Sequence, residues 1–337
     1  MPLASGRSLA RAQEEALTER GSTRKVRRLV RNRSALVGAV IVLFITILGV
    51  FAPIIAITGP FAVGSDPLMA PGAGYPLGTD NLGRDVFSRF LYGARITLLV
   101  GIVAALVSTL IGTVVGMLAG YYGGLLDESL MRITEFFQVI PRFLLALVLA
   151  ALFGASLWNV ILVIGTLSWP LTARLLRAEF LTLREREFVE AARAIGATDY
   201  HLMVKEILPN AIAPVIVNGS FEIGRAILLE AGLSFIGLAD PRSVTWGTML
   251  YSAQPFLRQA WWLATFPGLG IFLVVWAFNL VGDGLNDAAG PVGPAVSCKG
   301  GERGVEPLAT GAHSRLSASG AIGQTCRTKP RAASRSR

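Results

Sequence analysis

Long apolar segments alternate with charged ones along this chain, and six of the apolar segments are long enough to cross a bilayer. They cover residues 35–58, 96–120, 136–153, 157–173, 212–238 and 261–281. A helix needs about 20 residues to cross the hydrocarbon core of a membrane, and about 17 can suffice. Pro141 and Arg142 interrupt the third segment, so its limits are approximate. The pattern predicts an all-α membrane protein with six transmembrane helices.

The composition and the distribution of charge support this prediction. Apolar residues make up 53% of the chain and charged residues only 16%, which is unusually apolar for a soluble domain. Residues 1–34 carry nine Lys and Arg against three acids, and residues 289–337 carry eight against two. Because positive charge collects on the cytoplasmic side of membranes, we expect both ends in the cytoplasm. The Gly- and Pro-rich residues 59–95 are then an extracytoplasmic loop, and residues 96–285 form the core.

The basic ends themselves suggest little chemistry. Residues 289–337 lack hydrophobic periodicity and are predicted to be a disordered tail. Cys298 and Cys326 lie far apart in this tail, so we expect neither a disulfide in a reducing cytoplasm nor a metal site. Nucleic acid is not an expected partner, because the positive charge flanks apolar segments and is not interleaved with aromatic residues.

A polar segment at residues 187–209 separates the fourth and fifth apolar segments. Its first residues place apolar side chains at three- and four-residue spacing, which predicts a short amphipathic helix. Gly196 can end that helix in the left-handed conformation, and Pro209 limits the next one. A small apolar helix face in a loop between membrane helices is suited to bind a soluble partner. The expected face consists of Phe188, Ala191, Ala192 and Ile195.

Several kinds of chemistry are missing from the sequence. There is no GxxxxGK[ST] phosphate-binding loop, so any ATP must be bound by another chain. There is no HExxH motif, and the two histidines, His201 and His313, lie outside the apolar segments. An intramembrane protease with a Ser–His pair is therefore not expected. We expect neither a cofactor nor a metal ion to be bound by this chain.

Two features inside the apolar segments are candidates for a role in packing or in transport. Gly112, Gly116 and Gly120 are four residues apart, a spacing that lets membrane helices approach closely, although glycine can also simply be tolerated there. Charged residues within membrane helices are costly unless they face a cavity or a partner. Glu222, Arg225 and Glu230 are such residues, and two alternatives are open for them. They belong to a structural ion pair, or they lie on the substrate path.

The polar segment resembles a known motif. Glu190-Ala191-Ala192, then Gly196, then Leu208-Pro209, is similar to the EAA loop of ABC importer permeases. The family usually has isoleucine two positions before the Leu-Pro, whereas this chain has Glu206 there and Ile207 next. In that family the loop forms a cytoplasmic coupling helix that docks on the ATP-hydrolysing subunit. The resemblance therefore implies the type I importer permease fold.

Other segments resemble one branch of that family, the second (C-type) permease subunit of dipeptide, oligopeptide and nickel importers. The likeness covers about residues 25–288 and leaves the basic tail outside it. A turn-rich segment, 77–85 (LGTDNLGRD), is either a cap over the helices, a gate or a contact for a binding protein. The other matching segments are 27–42, 233–238, 246–247 and 279–285.

The resemblance implies the energy source for transport and the molecules with which the chain assembles. The expected partners are membrane lipid, a second permease subunit of similar fold, two ABC ATPase subunits that use ATP, and an extracytoplasmic solute-binding protein. The expected location is a bacterial plasma membrane, and the expected cargo is peptides, with nickel or another small solute as the alternative. A secondary transporter would work without an ATPase, and a membrane scaffold or receptor would not transport at all.

Overall fold

The computed structural model describes residues 32–289 except Ala73, Ala155 and Ala239, and the described part is helical without a β-strand. The basic segment before residue 32 and the tail from residue 290, with both cysteines, lie outside the described residues. The chain also has a π-helical turn, Leu202–Ile207, and a 3-10 turn, Gln254–Phe256. The helices are α1 (Arg33–Val50), α2 (Ala52–Ile55), α3 (Val86–Tyr122), α4 (Gly124–Val139), α5 (Arg142–Phe153), α6 (Leu157–Leu183), α7 (Glu187–Ala194), α8 (Asp199–His201), α9 (Leu208–Phe235), α10 (Trp246–Ala253) and α11 (Trp262–Ala289).

Five helical segments are each long and apolar enough to cross a membrane: α1, α3, α6, α8 to α9 taken together, and α11. The sixth predicted crossing, residues 136–153, differs from the prediction because it is not one straight helix. Here α4 and α5 meet at an angle of 87°. Pro141 disfavours a helical backbone at Ile140, which is extended with ψ of 129°. Since α5 has twelve residues and is about 18 Å long, it does not span the core alone.

The helices also differ in length from the apolar segments. The α3 helix begins at Val86, ten residues before the apolar run, because the Asp85 carboxylate accepts hydrogen bonds from the Phe87 and Ser88 amides. The extracytoplasmic loop predicted at 59–95 is therefore shorter. In contrast, α1 ends at Val50 rather than at residue 58. The chain turns directly after Val50 and continues into the short α2.

The central contact of the bundle is between α3 and α6, and three glycines make it close. A Cβ atom on Gly112 would lie 2.6 Å from the Thr172 Cβ, and one on Gly116 would lie 2.5 Å from the Ala173 carbonyl oxygen. A Cβ atom on Gly120 would lie 2.5 Å from the Phe180 Cβ. The spacing of the glycines thus serves close helix packing, as in other membrane helix pairs.

Side-chain hydrogen bonds close both ends of the bundle. At the end that carries α10, the Trp246 indole donates to the Phe90 carbonyl at 3.0 Å and the Trp262 indole donates to the Thr79 carbonyl at 3.2 Å. At the end that carries α7, the Arg184 guanidinium donates to carbonyls of the last turn of α3 at 3.3 and 3.4 Å. We call these the α10 end and the α7 end.

Candidate functional site: the loop around α7

The α7 helix is attached to the bundle by one buried side chain. Val189 is fully buried and packs in a cluster with Leu202, Met203 and Ile207 of the following π turn. The neighbouring side of α7 is open, since Phe188 is 39% exposed and Ile195, directly after the last helical residue, is 87% exposed. The sequence pattern identified the open side but missed Val189, which lies one position after Phe188.

The Glu190-Ala191-Ala192 segment lies across both sides of α7. Glu190 and Ala191 are exposed, whereas Ala192 is half-buried against the cluster around Val189. The exposed surface of α7 thus combines the charged residues Glu187, Glu190 and Arg193 with apolar residues. Small side chains at such a surface allow another protein to approach the helix backbone.

Gly196 ends α7 as the sequence predicts. Its φ is +85°, a conformation that suits glycine, and nothing lies within 4 Å of the place where a Cβ would be. The Gly196 amide donates to the Arg193 carbonyl at 3.0 Å, and the Ala197 amide donates to the Ala192 carbonyl at 3.1 Å. These two bonds form a Schellman motif, which fixes the direction in which the chain leaves the helix.

The second half of the loop belongs to the bundle rather than to the open surface. The Tyr121 hydroxyl at the end of α3 donates to the Asp199 carboxylate at 2.6 Å. Leu208 is half-buried, and the exposed Pro209 lies in the first turn of α9. Pro209 does not interrupt the helix, because the π turn before it continues directly into α9. Of the predicted Leu208-Pro209 pair, only Leu208 packs against the cluster around Val189.

Glu222 and Arg225 of α9 form the ion pair expected from their spacing. The Arg225 Nη1 lies 3.0 Å from the Glu222 Oε2, and the Glu222 side chain is only 1% exposed. The structure adds Arg142, the first residue of α5, whose Nη1 lies 3.8 Å from the Glu222 Oε1. The sequence signal for this third residue of the charged cluster was a cation, Arg142, directly after Pro141 within an apolar segment.

Glu230 lies in the joint between α9 and α10. Its Oε1 accepts hydrogen bonds from the Ser234 hydroxyl at 2.6 Å and from the Thr245 hydroxyl at 2.8 Å, and Thr245 caps α10. These contacts give Glu230 a structural role in holding α10 against α9.

The turn-rich segment 77–85 is an ordered cap at the α10 end. The Asp80 carboxylate accepts hydrogen bonds from the backbone amides of Leu82 and Arg84, each at 2.9 Å, and pairs with the Arg84 side chain at 2.6 Å. Beside this cap a cavity of about 480 Å³ opens toward the 237–252 segment. Its lining includes Arg84, Arg89, Asp240 and Tyr251.

Comparisons with known proteins place this arrangement in one family. Residues 112–291 match the model of the binding-protein-dependent transport system inner membrane component, and residues 23–71 match the N-terminal TM domain of oligopeptide transport permease C. The chain is 45% identical to the dipeptide transport system permease protein DppC of Escherichia coli K12 over 77% of this chain and 90% of that one. It is 40% identical to DppC of Alkalihalophilus pseudofirmus over 79% and 88%.

A solved structure shows the same fold. An inward-facing structure of the MetNI methionine ABC transporter matches 60% of this chain and 96% of its own chain, with a TM-score of 0.50 and 20% identity. The chain therefore belongs to the family of binding-protein-dependent transport system inner membrane components, and it is a C-type permease subunit of an ABC importer.

Proposed function

We propose that this chain forms half of the path by which di- or oligopeptides enter the cytoplasm, driven by ATP hydrolysis on separate subunits. A second permease of similar fold, two ABC ATPases and an extracytoplasmic binding protein complete the transporter. The observation that carries the proposal is the exposed apolar side of α7, which is anchored by the buried Val189 and by the hydrogen-bonded Gly196 turn. The names of the related dipeptide permeases support the choice of peptides over nickel or another small solute.

The orientation in the membrane is part of the proposal. The α7 end faces the cytoplasm, where the ATPases are, and the α10 end faces outward toward the binding protein. Both chain ends are then cytoplasmic, which the positive charge of residues 1–34 and 289–337 supports. Because the sequence has no phosphate-binding loop, ATP is bound by the partner ATPases, and this chain carries out no catalytic step itself.

The contacts of the loop suggest how movement reaches the membrane helices. An ATPase that binds the open side of α7 displaces the whole loop. This loop is packed on the π turn through Val189, and it is hydrogen-bonded to α3 through Asp199 and Tyr121. A displacement of the loop thus acts on both α3 and α9. The loop transmits a coupling free energy between the nucleotide sites and the peptide path.

Uptake into proteoliposomes tests the function. The four-subunit membrane complex is reconstituted with ATP inside, and the binding protein and a radiolabelled dipeptide are added outside. We expect accumulation that needs hydrolysable ATP and the binding protein. Accumulation driven by an ion gradient without ATP would instead indicate a secondary transporter. Uptake of nickel but not of dipeptides would favour the alternative cargo.

Replacing Gly196 with Val is expected to uncouple ATP hydrolysis from uptake. A left-handed backbone costs a non-glycine residue about 1–2 kcal/mol, so the valine variant turns the exit from α7 in another direction. We expect uptake to fall about tenfold, the equivalent of about 1.4 kcal/mol, while hydrolysis no longer responds to loaded binding protein. Asparagine tolerates the left-handed region better, so Gly196→Asn is the matched control and should keep more activity. Unchanged substrate-stimulated hydrolysis in the valine variant would contradict the proposed role.

A further inference from the structure

Two arginines present their charged groups on the surface of the chain at a depth where lipid would be expected. Arg225 lies ten residues before the end of α9 at Phe235, which is about 15 Å along the helix. Its side chain is 45% exposed, and the side chain of Arg142, at the bend before α5, is 32% exposed. Because a cation facing hydrocarbon is costly, this surface must face water or another protein.

The charges of this cluster do not balance. One carboxylate, that of Glu222, serves both guanidinium groups, with Arg225 at its Oε2 and Arg142 at its Oε1. The carboxylate is buried behind the two arginines, and its Oε1 accepts no hydrogen bond from any described residue. Two cations and one anion leave a net charge of +1 on the accessible side. Glu222 thus holds the two arginines in place but does not neutralise them.

The bend between α4 and α5 adds to the positive field. The break at Pro141 exposes the first turn of the twelve-residue α5, which has no side-chain cap. A helix N-terminus carries unpaired amides and a partial positive charge, so it favours an anion. Arg142 is the first residue of this helix, and the two positive features therefore coincide.

We propose that Arg142 and Arg225 form a site on the translocation path that binds the free carboxylate of a peptide in transit, with Glu222 as the positioning residue. Guanidinium groups suit a carboxylate because their planar donors can form two parallel hydrogen bonds to it. The assignment of a peptide as the ligand rests on the proposed function. An acidic side chain of the neighbouring permease is the other source of a carboxylate, and the first experiment below separates the two.

The first experiment tests whether the site faces water and needs positive charge. Arg225→Cys is made in a chain in which Cys298 and Cys326 are replaced by Ser, and the whole complex is treated with a cationic or an anionic methanethiosulfonate. We expect both reagents to label the cysteine, and only the trimethylammonium reagent to restore dipeptide uptake. If neither reagent labels the cysteine, Arg225 contacts protein rather than water, and the proposal is overturned. Equal rescue by both reagents, or by neither, would also overturn it.

Arg132→Cys in the same background is the matched control. Arg132 lies on α4 near the same bend, its side chain is 73% exposed, and it pairs only with Glu128 and Glu135 among the described residues. We expect it to be labelled without a change in uptake.

The second experiment tests the peptide carboxylate itself. Uptake of a dipeptide and of its C-terminal amide is compared, each at a concentration that saturates the binding protein. We expect the wild-type complex to prefer the free acid by about tenfold, and the Arg142→Gln/Arg225→Gln double variant to lose that preference while still hydrolysing ATP. A double variant with the wild-type preference would overturn the proposal. If the wild-type complex takes up no peptide at all, the proposed function fails instead, which is a different result.

Discussion

Replacing Ile195 with Asp is expected to abolish ATP-driven uptake while the permease stays folded. Ile195 is 87% exposed, so its loss removes little packing within the chain. If an ATPase cleft buries it, a charge at that position disrupts the centre of the contact, where single residues contribute about 2–4 kcal/mol. The affinity for the ATPase should then fall by a factor of about 30 to 1,000. Co-purification of the ATPase with the permease in detergent, together with vesicle uptake, measures both effects.

Two controls separate docking from folding. Val63→Asp changes an equally apolar and 69% exposed residue in the loop between α2 and α3, on the α10 side, and should leave ATPase binding unchanged. Val189→Asp places a charge in the buried side of α7 and should lower the melting temperature of the permease itself. An Ile195→Asp variant that keeps wild-type ATPase binding would show that α7 is not the docking helix.

The sequence predicted α7 well but could not tell which of its residues faces the bundle. Phe188, Ala191, Ala192 and Ile195 recur at helical spacing, and the chain leaves three of them exposed, whereas Ala192 is half-buried against the cluster around Val189. Val189 is equally apolar and lies beside that face. In a helix of eight residues, hydrophobicity alone does not distinguish the side that packs inward from the side that binds a partner. That choice depends on the position of the π turn.

The bend in the third apolar segment has a similar explanation. Hydropathy counts apolar residues and so predicted one crossing over residues 136–153. The structure breaks it at Pro141, which ends α4. The start of α4 is held to α6 by the pair of Asp127 and Arg177, with an Oδ2 to Nη2 distance of 2.6 Å. This contact joins residues that are 50 positions apart, so no local pattern contains it.

The same distinction applies to the charged cluster. The pairing of Glu222 with Arg225 followed from their spacing of three on one helix. The contact between Glu222 and Arg142 joins two different helices, and only the folded bundle brings them together. Glu230 looked equivalent in the sequence, yet its partners Ser234 and Thr245 place it in the joint between α9 and α10.

Replacing Gly116 with Leu is expected to prevent the permease from assembling, because the contact between α3 and α6 has no room for a side chain. A Cβ at that position would lie 2.5 Å from the Ala173 carbonyl oxygen and 3.0 Å from the Leu176 Cβ. Overpacking of this kind costs about 1–3 kcal/mol where the surroundings can move. Here the nearest atom belongs to the backbone of a helix, so the two helices must separate.

Gly268→Leu is the matched control for this variant, since nothing lies within 4 Å of the Cβ position of that glycine in α11. Size-exclusion profiles and melting temperatures of the fluorescently tagged permease in detergent distinguish the two variants. We expect the Gly268 variant to elute as the wild type does and the Gly116 variant to aggregate or to melt at a lower temperature. A Gly116 variant with the wild-type profile would mean that α3 and α6 are not packed backbone to backbone. Because α3 carries Tyr121 and α6 leads into α7, that result would also remove the proposed route from the ATPase to the membrane helices.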